Sequence, residues 1–216
     1  MLFDKDGTLL NFIGLWGSWS EYFYRHYKET LTGKGIKGEM ASYAELWGNT
    51  HDETGEIVAY SRNGPLAMGL TGDLLSIIAW QGYRLGLPWS EAIRLARESQ
   101  QLANEEMERL CAAHPLPGVI EFIKKCDQHN VLLVIVTADE TSEALKHLAW
   151  MGIRRYFKVI IGHDRVAQGK PFPEMVHKAC FELALQPDQV ALIGDTNSDM
   201  QMGNSAGVGG IHWAHE

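Results

Sequence analysis

The sequence predicts an α/β protein, a doubly wound parallel sheet interrupted by a long helical insertion. Three observations carry that prediction. Residues 131 to 137, V-L-L-V-I-V-T, and residues 190 to 194, V-A-L-I-G, are unbroken apolar runs, the pattern of strands buried on both faces. Helical periodicity returns between and around them, and strands alternating with helices build a parallel sheet. Residues 14 to 112, by contrast, carry helical spacing and no convincing strand pair. The chain therefore divides into a core, residues 1–13 and 113–216, and an all-helical insertion, residues 14–112.

The first strand is short. Only Met1, Leu2 and Phe3 precede Asp4, against the roughly five or six residues usual for a strand. Asp4, Lys5, Asp6, Gly7 and Thr8 then form a tight loop in which Gly7 supplies backbone freedom. Alternation sends Asp4 and Asp6 to one side of the sheet's carboxyl edge and turns Lys5 away from them. Paired carboxylates at such an edge can act as a nucleophile toward phosphorus and as a proton donor. An acidic turn is the bland alternative.

The insertion opens with a hinge at Gly14 and Gly17, after which Ser18 or Ser20 caps a helix. Trp16, Trp19, Tyr22, Phe23 and Tyr27 recur at helical spacing and read as packing residues, with one or two left to line a cavity. Residues 31 to 38, L-T-G-K-G-I-K-G, lack the spacing of a phosphate-binding loop and read as a solvated connection. Residues 52 to 62 and 66 to 86 read as helical, with Leu70, Leu74, Leu75, Ile77, Ile78 and Leu85 on one side. Pro88 stops that segment, and Ser90 starts a long helix to about Ala113.

The core resumes at H-P-L-P-G, residues 114 to 118, the second hinge. A helix over 118–129 leads to the strand ending at Thr137, and Thr141 or Ser142 caps the helix ending near Gly152. Tyr156–Ile161 is a strand, Lys170 sits in the G-K-P-F-P loop before a helix over 173–185, and 190–194 is a strand ending beside Asp195. A helix over 198–205 starts at Asp199, and Val208–Trp213 is the last short strand. His212 and His215 belong to a terminus expected to fray rather than to a metal site.

Composition narrows the partners. A net charge of −8 argues against nucleic acid or an anionic membrane surface as partner. No apolar run approaches the roughly 18 residues that span a bilayer. Cys111, Cys126 and Cys180 lack metal spacing and read as buried structural thiols of a reducing compartment, so the expected location is cytoplasmic.

D-K-D-G-T at residues 4–8, I-V-T ending at Thr137, G-K-P around Lys170 and G-D-T-N-S-D at 194–199 together resemble the haloacid dehalogenase superfamily of phosphohydrolases, in its phosphoglycolate phosphatase-like branch. The resemblance spans nearly the whole chain and implies a Rossmann-like core with a helical cap. It implies a magnesium-dependent phosphomonoester hydrolase that passes through an aspartyl phosphate. Asp4 is then the nucleophile, Asp6 the acid and base, and Lys170 the cation balancing Asp4 and the phosphoryl oxygens. Thr137 and the backbone N–H of Ala138 hold the phosphate. Mg2+ is ligated by Asp4, Asp195 and the backbone carbonyl of Asp6, with Asp199 as a direct, water-mediated or outer partner. Asp6 favours phosphate chemistry over dehalogenation. Charge argues the same way, because a phosphate beside Asp4, Asp195 and Asp199 needs more positive charge than Lys170 alone supplies.

Two departures stand out: Lys5, assigned no catalytic role, and Asp139, read as a cap for the next helix. Family members carry more apolar residues before the first acid and a further element at the end, which implies a chain shortened at both termini. The expected partner is a small phosphorylated metabolite such as phosphoglycolate, and the protein a monomer or homodimer. Arg25, Lys34, Lys37, Arg62 and Arg84 of the insertion are candidates to recognise a carboxylate, or plain surface charge. A phosphosugar mutase of the same architecture and a non-catalytic binding protein remain open alternatives.

Overall fold

A computed structural model describes residues 1–214 of the chain. They fall into two compact units, Met1–Phe12 with the chain from Ala113 onward, and Ile13–Ala112. The chain starts with β1 (Leu2–Phe3) and then enters the inserted unit. There a π-helical turn, Ile13–Gly17, leads into α1 (Ser18–Gly33), α2 (Tyr43–Trp47), β2 (Asn49–His51), β3 (Ile57–Tyr60), α3 (Pro65–Met68), α4 (Thr71–Arg84) and α5 (Trp89–Leu110). The chain returns through α6 (Val119–Gln128), β4 (Leu133–Val136), α7 (Thr141–Trp150), β5 (Phe157–Ile161), α8 (Glu174–Leu183), β6 (Ala191–Gly194), α9 (Asn197–Ala206) and β7 (Gly210–Trp213).

The first unit holds a five-stranded sheet in the order β5-β4-β1-β6-β7, with every pairing parallel. Its shortest strand is central: Phe3 lies in register with Ile135 on one side and Ile193 on the other. Leu2, Val134 and Leu192 point to the face covered by α8 and α9, where Met175, Val176, Ala179 and Met202 complete the core. Phe3 points to the other face and meets the rings of Phe122 and Phe157 edge-on, at 6.2 and 6.3 Å. Burial on both faces is why these strands read as continuous apolar runs. The doubly wound parallel sheet is as predicted, and the parallel pairing brings the ends of β1, β4 and β6 to one edge.

In the inserted unit α1 and α4 both pack against α5. Trp19, Phe23 and Tyr27 are buried along one side of α1, while Trp16 and Tyr22 are half-buried. Trp47 of α2 is fully buried with its ring 6.0 Å from that of Phe23. The unit departs from the all-helical expectation at 49–60, where β2 and β3 pair antiparallel as a hairpin. Asp52 makes its turn: Oδ1 accepts from the N–H groups of Thr54 (2.9 Å) and Glu56 (3.0 Å), and Gly55 takes φ +88°.

Several local expectations are corrected. Neither serine side chain caps α1; Ser20 is buried, donating to the Gly17 carbonyl at 2.7 Å and accepting from Asn49 Nδ2 at 2.9 Å. Leu70 precedes α4 and is exposed rather than on its apolar side. Cys126 and Cys180 are buried thiols, but Cys111 is exposed. The start of α7 is held by neither Thr141 nor Ser142 as acceptor; instead Thr141 donates its N–H and hydroxyl to Asp164 Oδ1, each at 2.7 Å. His212 lies in β7, paired opposite Ile193 instead of fraying, and His215 lies outside the described residues.

Candidate active site

Asp4 follows β1, Thr137 follows β4 and Asp195 follows β6, so neighbouring strands deliver them to the same sheet edge. Asp199 arrives on the first turn of α9 through a capping box. Its N–H reaches Thr196 Oγ1 at 3.3 Å, while its own Oδ2 accepts from the N–H (3.1 Å) and hydroxyl of Thr196. The cap occupies one oxygen of Asp199 and leaves Oδ1 aimed at Lys170, 2.7 Å away.

Asp4, Asp195 and Asp199 are all buried, and each offers an oxygen within 4.8 Å of the other two. At that spacing each pair of carboxylates repels by about 3–4 kcal/mol at an effective dielectric of about 20. Lys170, nearly buried, bridges two of them through Asp4 Oδ1 and Asp199 Oδ1. Burial alone would lower its pKa, but Asp199 and Asp4 hold it well above the ordinary lysine value, so it stays charged. Asp195 accepts from the Thr8 hydroxyl at 3.3 Å. Lys170 brings one positive charge to three carboxylates. Burial, then Asp199, Asp195 and Asp6, push the Asp4 carboxyl well above the ordinary carboxylate range despite the opposing pull of Lys170. Three buried, clustered carboxylate oxygens are the hard donor set that suits a divalent cation such as magnesium.

Two glycines make the cluster sterically possible. A Cβ on Gly7, whose φ is +75°, would collide with the Asp195 carboxylate. A Cβ on Gly194 would come within 2.5 Å of Asp199 Cβ and Cγ.

Asp6 is organised separately. Its Oδ1 lies 2.6 Å from the ammonium of Lys5, and its side chain is 16% exposed. Contrary to the alternation argument, Lys5 does not turn away into an unrelated environment. It is fully buried, 2.9 Å from Asp139 Oδ2 and 3.2 Å from His147 Nδ1. Asp139 is accordingly no helix cap; its carboxylate pairs with Lys5 and lies 3.5 Å from His147 Nδ1. Burial would raise the Asp139 pKa, but Lys5 and then His147 hold it far below the ordinary range. Thr137 is buried, donates its N–H to Ile161 O at 3.0 Å and accepts from the Asp139 N–H at 3.2 Å, while Ala138 is exposed in the same turn.

The structure thus gathers the predicted Asp4, Asp195, Asp199 and Lys170 in one group, while the predicted Asp6 pairs with Lys5, which in turn pairs with Asp139, neither of them predicted for the site. Thr8, Gly194, Lys5 and His147 had no place in the predicted site. Among the cations of the insertion, Lys34 pairs with Glu91 at 2.8 Å, Arg25 stacks over Tyr22 at 4.6 Å and Arg84 donates to Gln81 at 3.4 Å.

A parallel, doubly wound sheet that gathers three carboxylates and a nearly buried lysine at its carboxyl edge has them where open α/β folds bind ligands. A family model described as haloacid dehalogenase-like hydrolase matches residues 85–212, more than half the chain, and the chain belongs to that family. Pyrophosphatase PpaX of Halalkalibacterium halodurans is 34% identical over 94 residues, 44% of each chain. Phosphoglycolate phosphatase of Photorhabdus laumondii is 24% identical over 189 residues, covering 82% of this chain and 81% of that protein. Matches to PpaX and two further phosphatases take in 44%, 52% and 65% of their lengths, so the chain spans about half the length of these curated relatives. A crystal structure titled putative beta-phosphoglucomutase from Thermotoga maritima shares the fold, with a TM-score of 0.66 at 21% identity, covering all of this chain and 85% of that one. Among the described residues, no helix is long and apolar enough to cross a membrane.

Proposed function

We propose that the protein is a magnesium-dependent phosphomonoester hydrolase acting through an aspartyl phosphate on a small phosphorylated metabolite, phosphoglycolate or a near relative. The observation that carries this reading is the Lys170 ammonium shared by Asp4 and Asp199 beside Asp195. A lysine already bonded to the nucleophile's oxygen balances charge where it develops. The phosphatase names of the relatives point the same way.

Asp4 attacks phosphorus in line, and the bond to the leaving oxygen breaks as the Asp4–phosphorus bond forms. Asp6 gives the leaving oxygen a proton, then takes one from the water that hydrolyses the intermediate. Thr137 and the Ala138 N–H orient the phosphoryl oxygens, and Lys170 balances their charge. Asp4 and Asp195 with the Asp6 carbonyl would hold magnesium, Asp199 being a direct, water-mediated or outer partner, and the ion would supply positive charge beside that of Lys170. Residues 14–112 act as the substrate-selecting insertion, and the cytoplasm is the location that suits such a metabolite.

The test is phosphate release from p-nitrophenyl phosphate and a panel of small phosphometabolites, with magnesium and with chelator. Turnover that needs magnesium and falls to background in Asp4→Asn is expected. A phosphorylated Asp4 that transfers to a sugar phosphate faster than to water would instead make the protein a mutase. A folded native chain with neither activity would leave a binding protein.

A further inference from the structure

We propose that Lys5 is a positioning residue that fixes the Asp6 carboxylate for proton transfer, through a buried ion cluster anchored by Asp139 and His147. The role rests on the reading of Asp6 as the acid and base.

The geometry is specific to this cluster. Lys5 has no exposed surface, and its Nζ lies 2.6 Å from Asp6 Oδ1, 2.9 Å from Asp139 Oδ2 and 3.2 Å from His147 Nδ1. Three chain segments meet there: the loop after β1, the turn after β4, and α7. A buried ion pair is a poor device for stability alone, because an apolar side chain of similar volume commonly does as well or better. This one is placed where it sets the direction of a carboxylate. A lysine held only by Asp6 would follow that side chain as it rotated. Held also by Asp139, which approaches His147 Nδ1 at 3.5 Å, it cannot. Asp6 Oδ1 is then tied to a point fixed by the sheet and α7, which limits rotation of the carboxylate that must face the leaving oxygen. Misplacing a catalytic group by about 1 Å can cost on the order of a hundredfold in rate.

Lys170 holds Asp4 in the same way, so each of the two carboxylates of the first loop has its own lysine. Separate cations keep the nucleophile and the proton carrier in different settings. The motif spacing asks only for two aspartates one residue apart and leaves the middle position open. Lys5 fills it with a side chain that reaches Asp139, the other residue that departed from the expected pattern.

The test compares kcat/KM for p-nitrophenyl phosphate and phenyl phosphate, two substrates of similar shape. Phenol has a pKa near 10, as tyrosine does, and needs a proton as it leaves, whereas nitrophenolate is a much weaker base. Asp6→Asn should depress phenyl phosphate turnover far more than p-nitrophenyl phosphate turnover, since a general acid contributes on the order of 10²–10⁴-fold. Lys5→Met should show the same bias, an extra loss of about tenfold or more on phenyl phosphate with KM little changed. Because Lys5→Met leaves Asp139 buried without its cation, Lys5→Met/Asp139→Asn is measured beside it, with circular dichroism confirming the fold. Equal losses on both substrates in the Lys5 variants, while Asp6→Asn keeps its bias, would reduce Lys5 to a structural residue and overturn the proposal. Absence of bias in Asp6→Asn itself would remove the acid–base role of Asp6, and this proposal with it.

Discussion

Gly194 shows how much of this site depends on a missing side chain. It ends β6, and the capping box of α9 brings the Asp199 side chain against its Cα, so that any Cβ would lie 2.5 Å from Asp199 Cβ and Cγ. Neither neighbour can move away cheaply, because Asp199 is fully buried and tied to both Thr196 and Lys170. Gly194→Ala should therefore lower stability by about 1–3 kcal/mol, the usual range for overpacking, and weaken magnesium binding in calorimetric titration. Gly33→Ala is the control: nothing lies within 4 Å of a Cβ there, at the end of α1, and the change should be neutral or slightly stabilising. Equal effects at the two positions would mean that the close approach at Gly194 has no energetic weight. At this scale Asp4 and Asp195 were legible because each follows an apolar run, where a strand must stop at the sheet's edge. Lys5 and Asp139 were not, since alternation governs a residue only while it remains in a strand. β1 ends at Phe3, and the loop beyond it turns Lys5 toward α7.

The elements of the core were readable because burial on both faces forces long apolar runs and because each helix carries its own periodicity. The β2–β3 hairpin had no such signal: its strands are three and four residues long and partly exposed, so neither period can establish itself. The local clue was chemical, an Asp-Glu-Thr-Gly turn before the β-prone Ile57-Val58-Ala59-Tyr60. Helix starts failed for a related reason. The cap of α7 comes from Asp164, distant in sequence, and no local window contains it. Removing it in Asp164→Ala should cost about 1 kcal/mol, read as a lower midpoint in urea. Slight burial tends to raise the Asp164 pKa, but the bonds from Thr141 outweigh it and hold the carboxyl below its ordinary value. A group whose pKa is depressed by folding stabilises above its unfolded pKa, about 3.9, and loses that contribution as pH falls through the lower folded value. The difference between native and Asp164→Ala should thus be full at neutral pH and shrink below about pH 4. A difference that persists there would assign the effect to packing instead of the charged cap.

Across the whole molecule, negative charge is in excess, −8 in the sequence, and among the described residues three buried acids, Asp4, Asp195 and Asp199, gather in one cluster. Folding gathers three carboxylates that an unfolded chain keeps apart, and Lys170 offsets two of them through Asp4 and Asp199. A cation that binds this gathered set binds the folded state alone, so it must stabilise the protein by mass action. At about a hundred times its dissociation constant magnesium should add about 2.7 kcal/mol, which for a chain of this size raises Tm by roughly 5–10 °C. General screening of the −8 charge by salt would also raise Tm, but without regard to ion identity or to one residue. The two effects separate on comparing magnesium with sodium at equal ionic strength, in the native chain and in Asp195→Asn. A specific site predicts a magnesium shift that sodium does not reproduce and that the variant loses, even though the variant begins with less repulsion and is no less stable without metal. If sodium matched magnesium, or Asp195→Asn kept the full shift, the cation would be acting on the surface, and the buried carboxylates would need another source of positive charge.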